Sequence, residues 1–226
     1  MEMSDALGPA FLPLWARLRG HGHLWHRTSL RSLQGILRDG AIVPNLGQLP
    51  QTFGQSKVSY SRHLSAVSLF DFDTEDQGRI FEHAWKWITV LIARLPGTAV
   101  VRIRRNALDS TRLLLPAEIA RGDPRLDPLT DEIRRMRMVI PAVEALYIDR
   151  IPTEAFSGFL MTAFGGEMGE YLFQEVDRGD DAFRTLSRIS TDWTADHEKR
   201  VAERHARGDY TLSERLEMAR AARKHV

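Results

Sequence analysis

The sequence contains no cysteine. That excludes a disulfide scaffold, a thiolate zinc site and a cysteine nucleophile. Long apolar runs are also missing. The best candidate, residues 87–95, is broken by Thr89 and Arg94 and falls well short of the roughly 20 residues that a spanning helix needs. Neither sign of charge prevails: 31 Lys and Arg face 30 Asp and Glu, leaving +1. Net charge therefore gives no sign of a nucleic-acid binder, and only local clusters bear on that question. Residues 1–8 lack the basic start and apolar centre of an export signal, so the expectation is a cytoplasmic chain without membrane association. Gly165 and Gly166 are not followed by Lys and Ser or Thr, which removes the phosphate-loop reading.

What is present is ordinary globular material, 43% apolar and 27% charged over 226 residues, enough for one large domain or two very small ones. Residues 9–18 read as an amphipathic helix with Phe11, Leu14, Trp15 and Leu18 on one face. Residues 24–28 read as a strand. A helix over 29–39 follows, capped by Ser29 and stopped by Gly40. Residues 41–43 are extended, 46–61 form a long loop, and 67–72 form a buried strand. One long helix is expected over 74–94, ended by Pro96 and Gly97, before a β-branched strand over 98–103. A loop over 121–128, a short basic helix over 129–138 and a strand over 143–148 come next. The pattern over 153–172 is mixed. Beyond Asp177 the chain is strongly charged, and Thr211 with Glu214 forms a capping box before a basic helix over 212–224. The alternation predicts an α+β fold, with residues 1–180 as one domain and 181–226 as a charged helical extension.

Three stretches carry residues suited to chemistry. On the strand at 24–28, alternation puts His26 and Thr28 on one face, with Trp25 and Arg27 on the other. An imidazole and a hydroxyl at a strand end, beside a helix start, can hold a ribose and a polar headgroup. For a lone His, a core histidine is the commoner explanation. On the strand at 67–72, Ser68 and Phe70 share a face, and an aromatic ring there can stack on a planar heterocycle. Just upstream, Tyr60 and Arg62 stand in a Ser-rich stretch, and arginine suits phosphate through its planar fork. The last stretch, 140–152, places Glu144 as a single carboxylate in an apolar strand. Burial there would perturb its pKa, as site carboxylates often show.

Taken in order, these stretches resemble the ADP-ribosyltransferase superfamily, which includes poly-ADP-ribose-polymerase-like enzymes, DarT-type DNA ADP-ribosyltransferases and NAD-dependent RNA 2'-phosphotransferases. The resemblance rests on His26-x-Thr28, a helix with Leu33-x-x-Ile36-Leu37-x-x-Gly40, the strand 66–72 and the glutamate strand 140–152. It implies a split, twisted, mixed β core with surrounding helices and NAD in the cleft between its halves. It implies NAD contacts at His26, Arg27 and Thr28, a nicotinamide pocket at Ser68 and Phe70 with Tyr60 standing for a family tyrosine, and catalytic roles for Glu144, His26 and Arg62. NAD would be a co-substrate, with no metal. The activity implied is transfer of ADP-ribose to a macromolecule, nucleic acid (DNA or RNA) slightly ahead of protein. By analogy this fits a toxin or phage-defence effector with an antitoxin or other protein partner. An NAD glycohydrolase, an RNA 2'-phosphotransferase and a non-catalytic NAD- or nucleotide-binding module are the alternatives.

Other features are weaker. His21, His23 and His26 lack a neighbouring carboxylate or cysteine at ligand spacing, so no metal site is expected. Trp85 and Trp87 read as core or interface residues. Arg102, Arg104, Arg105, Arg134, Arg135 and Arg137 make local basic clusters that suit a solvated face or the guidance of phosphates.

Overall fold

The computed structural model describes residues 11–20, 22–48, 59–73, 77–136, 139–165, 171–211 and 214–217. Helix α1, Phe11–Leu18, buries the four apolar residues of its expected stripe. Strand β1, His23–Thr28, leads into α2, Leu30–Asp39. Ser29 caps that helix by accepting from the Ser32 N–H, and Gly40 ends it with φ 75°, a left-handed conformation that suits a residue without Cβ. Then come β2 (Ala41–Ile42), the single turn α3 (Tyr60–His63) and β3 (Ala66–Phe70).

The long helix expected over 74–94 divides in two. Helix α4 is Gln77–Glu82 and α5 is Ala84–Leu91, with His83 between them at a non-helical φ of −109° and ψ of 13°. The indole N–H of Trp87 donates to the Ile80 carbonyl at 3.0 Å, joining the two pieces across the break. Strand β4, Thr98–Arg104, is followed by β5 (Leu113–Leu114), α6 (Pro116–Arg121), α7 (Asp131–Met136), β6 (Glu144–Ile148) and β7 (Ile151–Pro152). The mixed pattern over 153–172 holds β8, Phe156–Phe164, which pairs with β9, Tyr171–Asp177. Residues 157 and 164 apart, β8 is buried along its length. A strand covered on both faces has no alternation to read.

The strands form a seven-stranded sheet in the order β5-β6-β3-β1-β4-β8-β9, with β2 and β7 as a separate pair. The fold is α+β, but the core is not mixed. All pairings between these strands are antiparallel, and parallel pairing among the described residues is confined to the isolated bridge between Arg94 and Phe164. One face of the sheet carries Leu24, Val67, Leu69, Val101 and Phe156, covered by Leu33 of α2. Helix α8, Ala182–Ala206, adds Ala182, Leu186 and Ile189 to the same cluster, so the first turns of the charged C-terminal region pack onto the main core. The other face carries Trp25, Phe70, Val100 and Leu160 beneath α1 and α5, with Phe72 and Trp87 filling the space between. The capping box at Thr211 and Glu214 forms as expected, but of the helix expected over 212–224 only 214–217 are described, and they are helical. No helix among the described residues is long and apolar enough to cross a membrane.

One joint in the sheet differs from the others. β1 pairs with β4 over six residues, and β3 with β6 over five. β1 and β3 meet at one register pair, Trp25 with Phe70. Beyond it the two strands part.

Candidate functional site

The parting of β1 and β3 opens the sheet beside α2. Burial along both strands marks the place. In β3, Ser68 alone is not fully buried; in β1, His26 and Arg27 are half-buried between enclosed neighbours. At a strand edge freed from its partner, side chains of either face reach the opening, which is why Arg27 joins His26 there despite alternation. A cavity of about 400 Å³ lies in the opening, within the range of small-molecule sites, roughly 300–1,000 Å³. His26, Arg27 and Thr28 form one wall, Ser29, Ser32 and Ile36 of the α2 region a second, and Arg62 and Ser68 a third, with Val43 and Asn45 at the edge.

The gap is bridged by a side chain. His26 Nδ1 lies 2.9 Å from the Ser68 carbonyl oxygen. A carbonyl can only accept, so Nδ1 carries the proton and donates. Burial lowers the pKa of His26; the bond to Ser68 works against that, and the charge of Arg27 adds to it. The imidazole is therefore neutral at pH 7, and Nε2 holds a lone pair. It suits a hydroxyl or N–H donor and repels none of the cations beside it. Thr28 is held by its own backbone: the buried Thr98 hydroxyl donates to its carbonyl at 2.7 Å, fixing the point where β1 gives way to α2.

Ser68 has a second bond. Its hydroxyl donates to Glu144 Oε1 at 2.7 Å. The other carboxylate oxygen accepts from the Ile140 N–H at 2.7 Å, while the Glu144 N–H donates to the Ile140 carbonyl at 3.0 Å. The turn 140–144 is thus closed on itself, with Ala142 at a φ of 67°, a conformation uncommon for a residue with a side chain. Glu144 is buried, 7% exposed. Desolvation raises its pKa, against the lowering effect of the bonds from Ser68 and Ile140. A carboxyl raised in the fold gives stability that is fully present below its unfolded pKa, near 4.5, and is lost as pH rises through the folded value. Thermal unfolding of the wild type and Glu144→Gln should therefore show the variant gaining on the wild type as pH climbs from 4.5 toward neutrality. Curves that stay parallel across that span would deny the raised value.

Among the described residues that line it, the positive charge of the cavity comes from Arg27, Arg38 and Arg62, against the carboxylate of Asp39, which binds Arg38 at 2.7 Å. Burial lowers Arg27 from its usual value, yet a guanidinium stays charged in proteins. The Arg62 guanidinium lies close to the chain at Gly47. A Cβ at Gly47, whose φ is 109°, would sit 2.5 Å from the Arg62 guanidinium. The glycine allows both the backbone turn and the approach.

The structure brings together His26, Arg27, Thr28, Arg62 and Ser68 from the expected set, and Glu144 stands one residue behind the wall, through Ser68. It does not bring Phe70 or Tyr60 to the cavity. Phe70 shares a face with Ser68, but its ring is stacked on Phe72, centroids 6.1 Å apart, inside the Trp25 cluster. Tyr60 is 7% exposed, and its hydroxyl donates to the Arg134 carbonyl at 3.2 Å within a third cluster with Leu64 and Ile133. Ser29, Ser32, Ser61, Asn45 and Asp39 line the cavity without having been singled out. Of these, Ser29 alone had a sequence signal, as a helix cap. Among the described residues no group of three or more His, Asp or Glu is placed to hold a metal ion. The stretch 46–61 falls largely on residues 49–58, outside the described residues, as does His21. Trp87 is buried in the core and Trp85 is 65% exposed. No family model matches the chain, and no significant match is found to a curated protein or to a solved structure.

Proposed function

We propose that this protein binds NAD in the cavity between β1 and β3 and transfers its ADP-ribose to a macromolecule. The observation that carries the reading is the hydrogen-bonded path from His26 through Ser68 to Glu144, which links three strands at the cavity beside the brief β1–β3 pairing. The residues at its two ends are those that the resemblance to ADP-ribosyltransferases pairs. A neutral imidazole with a free Nε2 accepts from a ribose hydroxyl, and Arg27 and Arg62 suit the pyrophosphate. Cleavage breaks the bond between ribose C1' and the nicotinamide nitrogen, and the electron pair leaves with nicotinamide. Positive charge builds on the ribose, and a carboxylate acting on its 2'-hydroxyl stabilises it. The acceptor then forms its bond to C1' and gives up its proton.

A second reading is a nucleotide-binding module without turnover. Both oxygens of Glu144 already have partners inside the protein, which is the specific observation in its favour. The two are separated by following nicotinamide release from NAD, with protein, DNA and RNA offered separately and each acceptor weighed by mass spectrometry. Release accompanied by an ADP-ribose mass on one acceptor is the expected result and names its class. Binding of NAD without release, whatever the acceptor, gives the module; no binding at all ends both readings.

A further inference from the structure

We infer that Ser68, rather than Glu144, is the residue whose side chain meets the substrate, and that Glu144 is a positioning residue acting through it. The inference rests on the NAD reading and assigns the contact within that site. Ser68 borders the cavity and is the one incompletely buried residue of β3; Glu144 is enclosed and does not line the cavity. One oxygen of Glu144 is committed to the Ile140 N–H that closes its own turn. The other accepts a hydrogen bond from the Ser68 hydroxyl at 2.7 Å. The Ser68 hydroxyl has one proton and two lone pairs. With the proton aimed at Glu144, the lone pairs are left for a donor in the cavity, and the carboxylate enriches them. A ribose hydroxyl can then donate to Ser68 Oγ while Ser68 donates to Glu144. No proton changes owner, so the relay balances as it stands; it passes the negative charge of Glu144 to a ligand that the carboxylate does not touch. The same residue holds His26 through its carbonyl, so a single serine fixes the acceptor on one side and presents the acceptor on the other.

The groups facing the carboxylate are the Ser68 hydroxyl and the Ile140 N–H; among the described residues, the other titratable group on this path is His26, reached through Ser68. This isolation makes a mutant cycle clean. Nicotinamide release and NAD affinity by calorimetry are measured for the wild type, Ser68→Ala, Ser68→Thr, Glu144→Gln and the Ser68→Ala/Glu144→Gln double variant, with melting curves to confirm folding. The relay requires each single variant to lose release by about 100-fold or more. It requires the double variant to lose no more than either alone, and Ser68→Thr to recover most of the rate. It also requires the acid limb of the pH profile, set by Glu144, to vanish in Ser68→Ala. A Ser68→Ala enzyme that keeps both its rate and that limb, or losses that multiply in the double variant, would mean that Glu144 reaches the substrate directly. If the wild type binds NAD without turnover, the same cycle is read in affinity, and additive losses overturn the relay there too. If NAD does not bind, the underlying reading fails, and the relay with it.

Discussion

If the proposed NAD reaction holds, replacing Glu144 by Gln should slow nicotinamide release by about 10²–10³-fold, equivalent to ~3–4 kcal/mol of transition-state stabilisation, the usual effect of losing one preorganised electrostatic group that serves a reacting centre. The substitution is isosteric, so it leaves no void. What changes is direction. Ile140 presents an N–H to one oxygen of Glu144, so the amide of a glutamine must turn its carbonyl oxygen there, leaving its NH₂ toward Ser68. The Ser68 hydroxyl then accepts instead of donating, and its proton swings toward the cavity. A site that offered a lone pair backed by a negative charge now offers a proton with none behind it. Melting curves for this variant near the wild type, together with the loss of release, would separate this effect from unfolding. Release within a few-fold of the wild type would remove Glu144 from the mechanism.

The largest effect on stability is expected at Trp25. Its side chain is 2% exposed, its indole N–H donates to the buried Leu18 carbonyl at 3.0 Å, and it occupies the register pair with Phe70 that holds β1 to β3. Trp25→Ala removes a large buried ring, at a cost of ~3–5 kcal/mol, and leaves the Leu18 carbonyl without its donor. For a chain of this size each kcal/mol corresponds to roughly 2–4 °C, so melting should fall by about 10 °C or more. Trp25→Phe, which keeps one six-membered ring and loses the donor with a smaller part of the buried volume, should fall by far less. Similar losses for both would place the effect in the hydrogen bond rather than in packing. The alanine variant should also exchange the amide protons of β1 faster than those of β4, since only β1 loses a partner.

Several features were readable in the sequence because their causes are local. Ser29 and Gly40 bracket α2 through capping chemistry that needs no tertiary context, and the stripe of α1 follows from periodicity alone. The facing of Ser68 with Phe70, and of His26 with Thr28, follows from the two-residue repeat of a strand. What alternation could not supply is where one face passes from cavity to core. Ser68 lies on the open side of that boundary; two residues later Phe70 is sealed by Phe72 and Trp25. Tyr60 sits within two residues of Arg62, yet a four-residue helical turn sends one inward to Arg134 and the other to the cavity. The end of the sheet beyond β4 depends on β8, which pairs with both β4 and β9 and whose burial on both faces erases the pattern that would announce it. His83 splits a helix whose apolar pattern continues across the break. The bond between Ser68 and Glu144 joins residues 76 positions apart, a distance over which no local signal reaches.

The brief pairing of β1 with β3 gives the cavity a mechanical meaning. Three strands, β5-β6-β3, and four, β1-β4-β8-β9, share little backbone bonding where they meet. A ligand held by His26 on one side and Ser68 on the other spans that joint and serves as the missing rungs of the ladder. Its binding energy would appear as cohesion between the two parts: at a hundredfold excess over its dissociation constant, about 2.7 kcal/mol of added resistance to unfolding, felt first along β1 and β3 where the parts meet and only afterwards in the far strands of the sheet.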